Sequence, residues 1–151
     1  MVNKQSSSQV RYMKKFAKGL VRFLITMVIV TVFIIGIQIV RQGMWLWGLP
    51  DLDEIQSVSI AYPAVTNQVK EVSSKEDAEL ALKLTSFLNY SILETADISS
   101  EPLISITYHC KDGSDQTISA NEETVWWNGK AYAIKQQQMF VNLAEGVFFN
   151  Q

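Results

Sequence analysis

A chain of 151 residues with a single cysteine, a net charge of −2 and 48% hydrophobic residues has no intramolecular disulfide and must hold together by packing alone. The small net charge conceals a division. Residues up to Arg41 carry seven positive and no negative charges, +7, and the rest carry six positive and 15 negative, −9. That acidic part lacks the clustered cations a phosphate backbone requires, which sets nucleic acid aside as a partner.

Met1 to Val10, centred on Gln5-Ser6-Ser7-Ser8-Gln9, lacks apolar periodicity and is expected to be without fixed structure. From Arg11 the pattern changes. Arg11, Lys14, Lys15, Lys18 and Arg22 share one helical face, and each such charge beside an anionic leaflet contributes on the order of 1 kcal/mol. Phe23 to Val40 then runs for 18 residues without a charge. At about 1.5 Å per residue it covers roughly 27 Å, and about 31 Å if the helix starts at Leu20, matching a hydrocarbon core of about 30 Å. The expected organisation is a cytoplasmic basic tail over 1–22, a transmembrane helix over 23–40, a linker over 41–54 and an extracytoplasmic domain over 55–151.

Six positive charges precede Phe23 and only Arg41 closely follows the span, so the positive-inside bias puts the N-terminus inside and the C-terminal domain outside the cell membrane. The apolar run exceeds the roughly 7 to 15 residues of a signal-peptide core. Ile39-Val40-Arg41-Gln42 also offers no small-x-small cleavage site, so the span is expected to remain as an uncleaved, single-pass anchor. Trp45 and Trp47 follow at the depth where amphipathic indoles favour the membrane interface. Gly48, Pro50 and the acidic Asp51-Leu52-Asp53-Glu54 read as a segment leaving the bilayer, and the carboxylates lack the spacing of a calcium loop.

Ser57 to Tyr62 alternates with period 2 and predicts a strand with one buried face, ended by Pro63; Gln68 to Val72 predicts a second, short one. Ser73 with Glu76 has the form of a capping box and opens a helix through about Asn89. Leu80, Ala81, Leu84, Phe87 and Leu88 form its expected core face, and Glu79 and Lys83 pair on the outside. Leu103 to Cys110, the Lys111-Asp112-Gly113-Ser114 turn and Gln116 to Ser119 predict a hairpin. A second joins Thr124–Trp127 to Lys130–Ile134 through Asn128-Gly129, the dipeptide suited to a type I′ turn. Two-residue closure pairs Trp127 with Lys130, Trp126 with Ala131 and Val125 with Tyr132. Val125, Trp127, Tyr132 and Ile134 then face the core and Trp126 points the other way. Gln136 to Phe149 carries Met139, Phe140, Leu143 and Val147 at helical spacing. The predicted domain is α+β, an antiparallel sheet of four or five strands with two helices packed on one face.

The order of these elements carries a resemblance: a strand ending near Tyr62, a Ser-Lys-Glu-Asp helix start, Ile104-Ser105-Ile106-Thr107-Tyr108 into a Lys-Asp-Gly turn, then Trp127-Asn128-Gly129-Lys130-Ala131-Tyr132. It resembles a small extracytoplasmic domain of Gram-positive single-span membrane proteins, similar to the outer C-terminal region of some penicillin-sensor-type proteins. The resemblance covers about Ile55 to Phe149. It does not imply their metallopeptidase, because the His-Glu-x-x-His zinc motif is absent.

Chemistry-bearing residues are sparse. His109 and Cys110 are neighbours on a predicted strand and point to opposite faces, so they form no dyad and do not begin a zinc set. No phosphate-cradling glycine loop and no Gly-x-Ser-x-Gly elbow is present. The pairs Asp112 with Asp115 and Glu122 with Glu123 sit in predicted turns, where solvation accounts for them. The sequence therefore predicts a membrane-anchored binding module without catalytic activity, metal or cofactor. Its expected partners are the bilayer and a membrane or envelope protein, and the contact residues are Glu122, Glu123 and Trp126. The alternative is an accessory subunit acting through its transmembrane helix, where Thr26, Thr31, Gly36 and Gln38 could mediate packing in lipid.

Overall fold

The computed structural model describes residues 3–63, 69–135 and 139–149, and the chain forms two units, Met1–Ile39 and Val40–Gln151. The helix α1 runs Asn3–Gln42. Its stretch Lys15–Gln42, which holds an 18-residue window of mean hydropathy 2.8, is long and apolar enough to cross a membrane, as an anchor or as a signal sequence. The helix begins at Asn3, where no fixed structure was expected. Neither proline nor glycine interrupts the chain before Gly19, so each residue added to the established helix gains a backbone bond. Lys15, Lys18 and Arg22 are exposed on it; the side chains of Arg11 and Lys14 lie outside the described residues. Thr26 and Thr31 donate their hydroxyls to the carbonyls of Arg22 and Met27, at 3.0 and 2.9 Å, which satisfies both donors within the helix.

The second unit is built on a six-stranded antiparallel sheet. In chain order its strands are β2 (Ile55–Ala61), β3 (Lys70–Val72), β5 (Ile104–Cys110), β6 (Asp115–Ala120), β7 (Thr124–Trp127) and β8 (Lys130–Ala133). Across the sheet the order is β3-β2-β5-β6-β7-β8. The Asn128-Gly129 turn closes as its chemistry demands, with φ of 50° and 72°, and Trp127 pairs with Lys130, Trp126 with Ala131 and Val125 with Tyr132. A separate two-stranded ribbon joins β1 (Met44–Trp45) to β4 (Asn89–Tyr90). The stretch 41–54 is therefore not a free linker. Leu46 is buried in the core, the indole N–H of Trp127 donates to the Trp47 carbonyl at 3.0 Å, and Lys111 N–H donates to Glu54 O at 2.8 Å.

Alternation along the strands drives Val58, Ile60, Ile104, Ile106, Tyr108, Ile118, Val125 and Trp127 to one face. There they share a single buried cluster with residues of α2 (Lys75–Ser86) and α3 (Met139–Phe148). The cap of α2 is Ser74 rather than Ser73: its Oγ accepts from Asp77 N–H at 3.1 Å and donates to the Asp77 carboxylate at 2.8 Å. The core face of α2 differs from the expected one as well. Ala78, Ala81, Leu84 and Thr85 are buried, whereas Leu80 is half-exposed and Phe87 is 60% exposed. Phe87 is the C-cap, so the 3.6-residue period no longer governs where it points. In α3 the buried residues are Phe140, Val141, Ala144 and Phe148. Met139 and Leu143, expected at the covering face, are exposed: the apolar residues of this helix fill rather more than half of its circumference, and the part of that arc that packs holds Phe140, Val141, Ala144 and Phe148 and leaves Met139 and Leu143 at its edge.

Candidate functional site

The helices cover one face of the sheet, and the alternation that fills the core sends Ser57, Ser59, Ser105, Thr107, His109, Thr117 and Ser119 to the other. Register aligns them. Ser59, Thr107 and Thr117 form one row across three strands, and Ala61, Ser105, Ser119, Trp126 and Ala131 form a second across five. Within the rows, Ser105 and Ser119 are hydrogen-bonded at 2.8 Å and Thr107 and Thr117 at 2.9 Å. Trp126 stands as a large aromatic side chain beside this floor of small hydroxyls, and it is half-buried.

At the other end, Ser59 Oγ lies 2.7 Å from His109 Nε2, and His109 Nδ1 lies 2.8 Å from Asp115 Oδ1. An ionised carboxylate only accepts, so Nδ1 carries a hydrogen and a neutral ring accepts the Ser59 hydroxyl at Nε2. The connectivity is that of nucleophile, base and orienting acid. The setting differs from a nucleophile's, which stands on a sharp turn beside free backbone donors. Ser59 sits inside β2, paired with Glu71 on one side and Thr107 on the other, and an interior strand directs its N–H groups into the ladders. The trio ties three strands together on the open face. Cys110, next in sequence to His109, is buried on the opposite face, as strand alternation requires.

Glu122 and Glu123 are both exposed in the turn between β6 and β7. Asn121 fixes that turn, its side-chain oxygen accepting from Glu123 N–H at 2.9 Å and Thr124 N–H at 2.7 Å, and its amide donating to Ser100 Oγ at 2.9 Å. The glutamates border an open hollow of about 200 Å³ together with Glu101, Leu103 and Asn121. Trp126 lies on the sheet face and does not line it, so the three expected contact residues fall on two separate features. Asp112 and Asp115 do not converge either. Asp112 is held by the hydroxyl and N–H of Ser114, which keep its carboxyl below the usual carboxylate range, while Asp115 turns to His109. Among the described residues no three His, Cys, Asp or Glu side chains group as metal ligands.

Trp45 and Trp47 are both exposed and their rings stack, with centroids 5.4 Å apart. Sequence reasoning missed the Ser59-His109-Asp115 trio and the hydroxyl floor, because His109 was weighed only against its chain neighbour. The alternation of Ser57 and Ser59 with Val58 and Ile60 already marked an outward polar row. No known protein family, curated protein or solved structure matches the chain.

Proposed function

We propose that the chain is a single-pass membrane protein, N-terminus inside and α+β domain outside, and that the domain is a non-catalytic module that binds an envelope protein through its open sheet face. The observation that carries this reading is the uncovered face itself: two rows of small hydroxyls that admit close approach, with the Trp126 indole beside them as an anchor of the type that concentrates binding energy. The charge-free stretch Phe23–Val40 and the six positive charges that precede it, against Arg41 alone close behind it, support the anchor and its orientation. An extracytoplasmic domain like those on Gram-positive single-span proteins suits the same reading.

The competing role, a subunit acting through the transmembrane helix, is weakened by Thr26 and Thr31, whose donors are already engaged within α1. Gln38 is left as its main polar handle. A photo-crosslinking residue placed at Thr117 in the full chain, in native membranes, should capture a protein that Trp126→Ser no longer captures. Capture from Ile29 in the apolar stretch, and none from Thr117, would move the function to the helix.

A further inference from the structure

The β1–β4 ribbon has a composition unlike the rest of its domain. Neither Gly43 to Pro50 nor Phe87 to Leu93 contains a charged residue, although the chain after Arg41 carries −9. Its outward side chains are large and apolar: Trp45 is 51% exposed, Trp47 58%, Phe87 60% and Leu93 72%, with Ile92 half-exposed. The pairing of Trp45 with Asn89 brings Trp47 and Phe87 to the same end of the ribbon. Leu46 and Leu88 are buried beneath it, so the ribbon is fixed to the core by one set of side chains and presents the other.

We propose that this ribbon is a lipid-docking face, which seats the domain on the outer leaflet through Trp45, Trp47, Phe87, Ile92 and Leu93. The inference rests on the reading that α1 spans the membrane. Met44 is two residues beyond Gln42, the last residue of α1, and two residues of chain reach at most about 7 Å, so the ribbon cannot leave the interfacial zone where the span emerges. Indoles prefer that zone. The absence of carboxylates removes the repulsion that an anionic surface exerts on the remainder of the domain. A protein partner is the weaker occupant, because this edge is tied by covalent connection to the bilayer surface.

The test uses the full chain with Cys110→Ala, reconstituted in vesicles of phosphatidylcholine and phosphatidylglycerol, with single cysteines at positions 29, 87, 93 or 117 carrying an environment-sensitive fluorophore. Lipids bearing a spin label should quench the probe at 29 strongly, and those at 87 and 93 several-fold more than the one at 117. If 29 is quenched and 87 and 93 behave like 117, docking is wrong and the anchor stands. If 29 is not quenched, the anchor reading falls and docking falls with it. Protection of 87 and 93 from aqueous iodide without lipid quenching would assign the ribbon to a second copy of the chain and overturn the proposal.

Discussion

Trp126 and Trp127 are adjacent in sequence and opposite in environment. Trp127 is 5% exposed and donates to Trp47 O, whereas Trp126 is half-buried on the open face. Trp127→Ser should cost about 3 to 5 kcal/mol, the range for emptying a large aromatic site. Trp126→Ser should cost about 1 kcal/mol, half the transfer free energy of a buried aromatic. Denaturant unfolding of the solubilised chain, followed by circular dichroism, separates the two, and only Trp126→Ser should lose partner capture while keeping the fold. Tyr108 is the core residue with a pH signature. Burial pushes its hydroxyl well above the usual tyrosine range, partly offset by the bond to Thr85. A raised folded-state pKa means that the unfolded chain releases its proton first, so this contribution is complete below about pH 10 and is lost as pH rises beyond it. Tyr108→Phe should cost about 1 kcal/mol at neutral pH and flatten the alkaline limb of a stability-against-pH curve. Thr85 keeps its bond to Ala81 O at 2.8 Å. The Ser59-His109-Asp115 trio shows why the site was only partly legible in the sequence. Each residue announces its outward face through local alternation, but 50 positions separate Ser59 from His109, and only strand pairing brings them together.

Two glycines at similar backbone angles separate conformation from space. Gly129 has φ of 72° and open surroundings, while Gly43 has φ of 84° and a Cβ there would stand 2.9 Å from Tyr90 O and 3.0 Å from Lys135 Cβ. Gly129→Ala should cost only the left-handed penalty of about 1 to 2 kcal/mol. Gly43→Ala should add an overpacking cost of about 1 to 3 kcal/mol and unseat the β1–β4 ribbon, seen as faster hydrogen exchange at Asn89 and Tyr90. The elements governed by short-range chemistry were readable in advance: the Asn128-Gly129 hairpin with its register, the Lys111–Ser114 turn and the α2 start to within one residue. The ribbon was not. Its two-residue strands are too short to show a period, and β1 finds its partner 45 positions later, so Gly43 to Pro50 looked like a linker although Leu46 is a core residue.

At the scale of the whole chain the charge division assigns separate work to its two ends. The first 41 residues hold seven cations without a carboxylate, and every acidic residue lies at Asp51 or beyond. Orientation in the bilayer follows the Lys and Arg bias close to the span, while Asp and Glu contribute little and whole domains translocate largely regardless of their charge. On the proposed reading of α1 as a span, the −9 of the domain therefore has no control over which way the chain inserts, and the basic segment sets it. Replacing Lys14, Lys15, Lys18 and Arg22 by Gln would leave Lys4 and Arg11 on one side of the span against Arg41 on the other. Part of the population should then insert inverted. Protease added to intact spheroplasts should digest the domain of the unaltered chain completely and leave a protected fraction of the variant's domain. Protection of the unaltered domain would reverse the proposed orientation, and full digestion of both would show that determinants other than these four charges set it.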